Sequence, residues 1–270
     1  MDKSVPAGVV PSFITKVARA KKHLVDLKTA VDGFAATHPY TVAETVESKR
    51  SRKRRRLQFT ATPANTDIPV IAADAIHNLR SSLDHLMSAM VANKDRGSVM
   101  FPIYFQGAWD AIVPGENQQR IKNRMRWASD VKTLPDGAVA ILKTLQPPDD
   151  GGQTLQETSA LRLVNRLWNR DKHEKLPVTT GGMRQLRISF TDNTGQRRSG
   201  SGGADPGVRT PELREIMDLP DDAVNVEIYG VPVVGIQIGD ERFIELPDKL
   251  TMALEDIEGV IAALMPFVRP

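Results

Sequence analysis

The chain contains no cysteine. That excludes a disulfide, a thiolate nucleophile and any cysteine-ligated zinc or iron–sulfur centre, and it fits a reducing compartment. Aromatic residues are scarce, at 5% of 270 positions. Beside the arginine-rich stretch described below only Tyr40 and Phe59 qualify, too few for a base-stacking surface there. No apolar run is long enough to cross a membrane. The opening MDKSVPAGVVPSF lacks the continuous apolar core of a signal peptide, which points to the cytoplasm. Phosphate-binding and dinucleotide-binding glycine loops are missing; Gly181-Gly182 and Gly200 to Gly203 have the wrong context. A serine nucleophile elbow is missing too. So are the helix-borne pair of histidines four apart and the carboxylate-rich repeat that would announce a metal. Neither a metal nor a cofactor is expected. There is no internal repeat.

What is present describes an ordinary globular chain, 40% hydrophobic and 26% charged. The length suits one large domain or two small ones. A single domain over residues 1–270 is expected, with one possible sub-boundary near residue 177, where helical periodicity gives way to alternation. The net charge is +3, but it is unevenly spread. The stretch KRSRKRRR carries seven basic residues: Lys49, Arg50, Arg52, Lys53, Arg54, Arg55 and Arg56. Taking those seven away leaves a charge of −4 on the rest of the chain. Such a run attracts phosphates, so RNA, DNA or an acidic protein are its candidate partners. The plain alternative is a solvated loop.

Taken in order, Pro11 to Phe34 keeps its apolar residues on one helical face, and His38-Pro39 closes it. Tyr40 to Glu47 and Arg55 to Thr62 read as a β-hairpin with the basic run at its tip. A central helix follows over Ala73 to Asn93, with Ile76, Leu79, Leu83, Leu86 and Met90 as its buried stripe. Val99 to Phe105 reads as a short extended segment crossing the core. Helices are expected over Glu116 to Ala128 and Gly137 to Leu145. Another runs from about Leu155 to His173, opened by a Thr154/Glu157 capping box. Alternation at Leu186, Ile188 and Phe190 begins a β-rich part, with a turn at Asp192 to Gly195. Arg197 to Gly207 reads as a loop and Pro211 to Met217 as a helical turn or two. Strands follow at Val224 to Ile228, Ile236 to Ile238 and Arg242 to Leu246. A last helix begins at Pro247. The expected fold class is α+β: a helical core with an antiparallel sheet from the N-terminal hairpin and the C-terminal meander.

The central helix is unusually polar for a core element. On a helical wheel His77, Arg80 and Asp84 share a flank, and Arg80 and Asp84 are four apart and able to pair. His85 points away from Arg80. In a second stretch, NRLWNRDKH, Asn165, Asn169 and His173 line up at steps of four, and Asp171 lies three from Trp168. If the two helices pack, His77, Asn78, Asp84, Asn165, Asn169 and Asp171 can form a polar core network that fixes helix register.

Arg80 to His85 is an arginine, four residues and a histidine, and Arg166 to His173 repeats the theme with six between. This spacing resembles the signature of the HEPN family of helical nucleases. The resemblance implies metal-independent RNA cleavage at a homodimer interface. His85 or His173 would be the acid–base, and Arg80 or Arg166 would stabilise the phosphorane charge. The stretches HNLRSSLDHL and NRDKH, with FPI at Phe101 to Ile103 and LQP at Leu145 to Pro147, are also similar to a pattern in uncharacterised bacterial proteins. That similarity implies a shared helical core and no activity. Two functions are therefore expected to compete. One is a non-enzymatic interaction or nucleic-acid-binding protein that uses the basic hairpin tip; the other is a HEPN-like ribonuclease. Whether the chain is an enzyme stays open at this point.

Overall fold

The structure is a computed structural model describing residues 10–38, 40–49, 52–61, 67–91, 99–104, 118–147, 159–174, 176–202, 216–220, 222–238 and 242–269. The α+β class holds, with six helices and seven antiparallel strands among these residues. The chain divides into two compact units. One comprises residues 1–24, 72–175 and 250–270; the other comprises 25–71 and 176–249.

The first unit is helical. It takes the N-terminal half of α1 (Ser12–Ala36), most of α2 (Asp67–Met90), α3 (Gln118–Val131), α4 (Asp136–Leu145), α5 (Ala160–His173) and nearly all of α6 (Asp248–Leu264). The predicted stripe on α2 is fully buried from Ile76 to Met90. It shares this unit with the buried faces Phe13–Val17–Ala20 of α1, Leu161–Val164–Leu167 of α5 and Leu254–Ile257–Ile261 of α6. A short 3-10 turn, Met265–Phe267, follows α6.

Residues 99–104 belong to no helix or strand, with Phe101 only 1% exposed and Met100 48% exposed. Where such a stretch is buried, its backbone must find partners elsewhere. Side chains supply them. The Tyr104 N–H donates to Gln146 Oε1 (2.7 Å). Gln146 Nε2 in turn donates to the carbonyls of Pro102 and Leu142, each at 3.1 Å. The Tyr104 hydroxyl donates to Asp130 Oδ2 (2.8 Å), and its ring meets Trp127 edge-on. Burial and that bond hold the phenol above its usual range.

The second unit holds two sheets. In the first, β1 (Tyr40–Lys49) pairs with β2 (Arg52–Ala61), and β2 pairs on its other side with β5 (Ile216–Leu219). The second has the order β4-β3-β6-β7, from Arg197–Gly202, Val178–Thr191, Val224–Ile238 and Arg242–Glu245. Hairpin and meander thus belong to separate sheets. Three register shifts interrupt β3 against β6. At one of them, between Ser189 and Thr191, β6 carries the extra residue around Asn225, whose φ is +52°; asparagine tolerates that left-handed conformation. Gly235 is needed for close approach, since a Cβ there would lie 2.3 Å from the Ile244 carbonyl oxygen. The predicted turn at 192–195 stands. Asp192 accepts from Thr194 Oγ1 (2.5 Å) and from the Thr194 and Gln196 amides. With Arg198 these bonds pull its carboxyl down to about 2.

Some local readings need correction. Arg197 to Gly202 is edge strand β4, not loop, because β3 offers it a ladder of backbone partners. Ile216 and Met217 are strand for the same reason, paired to Gln58 and Leu57. Helix α5 starts at Ala160, and Ser159 at its N-cap makes no side-chain cap bond. The Thr154/Glu157 box lies outside the described residues, as do residues 203–215 and the 239–240 turn.

Candidate functional site

Two clusters of charged side chains stand out, one in each unit. In the helical unit, Arg80 is 3% exposed. Its Nη2 donates to the Phe101 carbonyl (3.0 Å) and lies 3.1 Å from Asp84 Oδ1. The same Asp84 oxygen accepts from the Phe101 N–H at 2.9 Å. The i,i+4 pair therefore satisfies both backbone groups of one buried residue, as a neighbouring strand would. Arg80 Cζ also lies 5.3 Å from the Trp168 ring centroid on α5, and Lys172 Nζ lies 3.3 Å from it. Arg80 Nε and Nη1 are buried with no hydrogen-bond acceptor among the described residues; the electron-rich indole face is what they have instead. Burial pushes the Arg80 guanidinium below its ordinary value and the Asp84 carboxyl above its own, in each case outweighing their mutual attraction. A buried pair of this kind is weak evidence for net stability, because the cost of taking the charges out of water offsets their attraction.

The remaining predicted residues are placed separately. Asn78 is buried and donates to the Asp74 carbonyl of its own helix (2.8 Å). His77 is exposed, with Nε2 3.4 Å from Ser81 Oγ. His85 is half-buried, its Nδ1 2.9 Å from Ser12 Oγ on α1. Asn165, Arg166 and Asp171 are half-buried, while Asn169 and His173 are exposed. Arg80 and Trp168 make one contact between α2 and α5. Trp168, Phe101 and Gln146 stand in stretches the sequence singled out, but their contacts were not foreseen; the i,i+4 spacing of Arg80 and Asp84 was the usable signal. No group of three or more His, Asp or Glu suited to a metal occurs among the described residues. No helix there is long and apolar enough to cross a membrane.

In the second unit the basic run is not confined to a hairpin tip. Lys49 ends β1, while Arg52 to Arg56 form the first half of β2; Arg50 lies outside the described residues. Part of the run stands in register with acids. Arg55 pairs with Glu44 at 2.5 Å and also donates to the Ala223 carbonyl. Its guanidinium holds the Glu44 carboxyl below the usual range. In register, Arg54 stands opposite Glu47, and Arg56 opposite Asp218 on β5. Acids across the ladder let arginines occupy an inner strand. The outer part differs. Lys53 stands opposite Ser48, and Lys49 opposite Arg52. Like charges directly opposite destabilise a sheet.

Compared with family models, curated proteins and solved structures, the chain matches none.

Proposed function

We propose that the protein binds nucleic acid without cleaving it, through the end of the β1–β2 hairpin. The observation that carries this reading is the register of the hairpin end, which sets position Lys49 opposite position Arg52, with Lys53 next along β2. Like charges at opposite register positions weaken a ladder, whereas a phosphate brought to them is attracted. Arg55 pairs with Glu44, and Arg54 and Arg56 stand in register with Glu47 and Asp218, so the proposal centres on Lys49, Arg50, Arg52 and Lys53. In the other unit Arg80 is committed to Phe101 and Asp84, which supports a structural role for the polar cluster.

The test is labelled single-stranded RNA in EDTA, resolved on native and denaturing gels. The expected result is a shifted but intact RNA. Its affinity should fall with log salt at a slope of up to about −3 if all four cations meet phosphates, at roughly 0.7 per contact. Changing Lys49, Arg50, Arg52 and Lys53 to Gln should abolish the shift. If wild-type and variant bind alike, the hairpin is not the docking element. A shift lost in the variant on an acidic peptide but absent on RNA would reassign the partner. RNA cleavage lost in His85→Ala or His173→Ala would replace this reading with a HEPN-like ribonuclease.

A further inference from the structure

Tyr229 and Arg187 stand opposite each other on β6 and β3, the two inner strands of the four-stranded sheet. Residues opposite in an antiparallel ladder project from the same side, so ring and guanidinium share a face. Tyr229 is 53% exposed, and Arg187 is exposed too. Neither takes part in a hydrogen bond, ion pair or ring contact among the described residues. The next residue, Ile188, turns to the other face and is buried. On the same face Glu227 is already paired, with Arg197. Among the described residues Arg187 is thus a cation without a counter-charge, opposite an exposed aromatic ring. Next to it β3 carries one extra residue between Arg184 and Arg187, a bulge of the kind that re-aims side chains.

A bare ring on a sheet is a stacking surface for any unpaired base, and a free guanidinium beside it complements a phosphate. We infer that Tyr229 and Arg187 grip one nucleotide of a single-stranded RNA, with the base stacked on the phenol and its phosphate on the guanidinium. This rests on the nucleic-acid reading above and narrows it, because paired bases cannot stack on a side chain without leaving the duplex.

The experiment is anisotropy of a labelled single-stranded RNA and of a duplex RNA, each over a salt series. It uses wild-type protein, Tyr229→Ala, Tyr229→Phe, Arg187→Gln and the Gln-substituted hairpin. One stacked base lost by alanine substitution weakens binding by about five- to a hundredfold. Tyr229→Ala should therefore weaken the single strand to that extent and leave the duplex and the salt slope unchanged, and Tyr229→Phe should restore affinity. Arg187→Gln should make the slope shallower by about 0.7, one phosphate contact. Equal loss on strand and duplex, or no loss in Tyr229→Ala, overturns the grip while leaving the hairpin reading intact. Loss in Tyr229→Ala with a hairpin variant that binds normally upholds the grip and removes the hairpin. A wild-type protein that binds neither RNA overturns both.

Discussion

Asp84 holds two partners through a single oxygen, and each would be stranded without it. In Asp84→Ala the Phe101 N–H loses its acceptor and the buried Arg80 loses its counter-charge. Breaking a largely buried pair in this way should cost about 2–4 kcal/mol, read as a lowered urea midpoint. Asp84→Asn keeps an acceptor for Phe101 and isolates the charge, so it serves for a pH comparison. The folded-state pKa of Asp84 is raised, with burial as the largest cause. The folded protein therefore binds this proton more tightly than the unfolded chain does. Wild-type stability should fall as pH rises from about 3.9, the unfolded value, through the raised folded value, and then level off. Asp84→Asn lacks that step, so the gap between the two proteins should shift in the variant's favour across that window. Parallel stability curves would show that Asp84 is not desolvated. Sequence reasoning reached Arg80 and Asp84 because their spacing is visible on a helical wheel. It did not foresee their contact with Phe101 because the groups they bind are its backbone N–H and carbonyl, which every residue but proline carries alike.

Among the elements, the 99–104 segment of the helical unit depends on α4 in the same way. Gln146 is 2% exposed and serves three backbone groups of the chain, those of Pro102, Tyr104 and Leu142. The FPI and LQP stretches meet here, at a glutamine with no sequence signature of its own. Gln146→Leu keeps the volume and removes every bond, so it should cost about 2–4 kcal/mol. Hydrogen exchange at the Tyr104 amide should speed up well beyond that at amides inside α2. Unchanged protection of Tyr104 would mean that water replaces the glutamine. Helices were legible because their periodicity is local: α1 and α6 fall within two residues of the apolar pattern, while α2 starts at Asp67, six residues before the expected Ala73. Strands β4 and β5 were not. RRSGSG has the composition of a loop, and Ile216 to Leu219 is too short to show alternation; each is a strand because a distant strand pairs with it. The same holds for Tyr229 and Arg187, which lie 42 residues apart and meet only through the register of β3 and β6.

At the scale of the whole chain, net charge and charge placement make different predictions. A charge of +3 is small, and with the seven basic residues removed the remainder is acidic at −4, so it repels a polyanion. Any attraction must therefore be local, felt within roughly 8–10 Å of the hairpin end at physiological salt. Two variants separate these views. Changing Lys49, Arg50, Arg52 and Lys53 to Gln lowers the net charge by four, from +3 to −1. Changing the exposed Arg19, Lys22, Lys132 and Lys249 to Gln lowers it by the same amount elsewhere. If net charge governed, both proteins would elute early from a heparin column and lose RNA together. If the hairpin end governs, only the first does. The second should keep the wild-type salt slope, because its phosphate contacts are unchanged, with affinity altered by no more than a few-fold through weaker long-range attraction. The first variant should also be at least as stable as wild-type, because Lys49 and Arg52 occupy opposite register positions and like charges so placed weaken a ladder by roughly 0.2–1 kcal/mol. Higher stability with lost binding in that one variant would show that the hairpin end carries its charge for a ligand rather than for the fold. A destabilised variant would mean that these cations have acidic partners in the folded chain, and the case for a nucleic-acid surface there would fail.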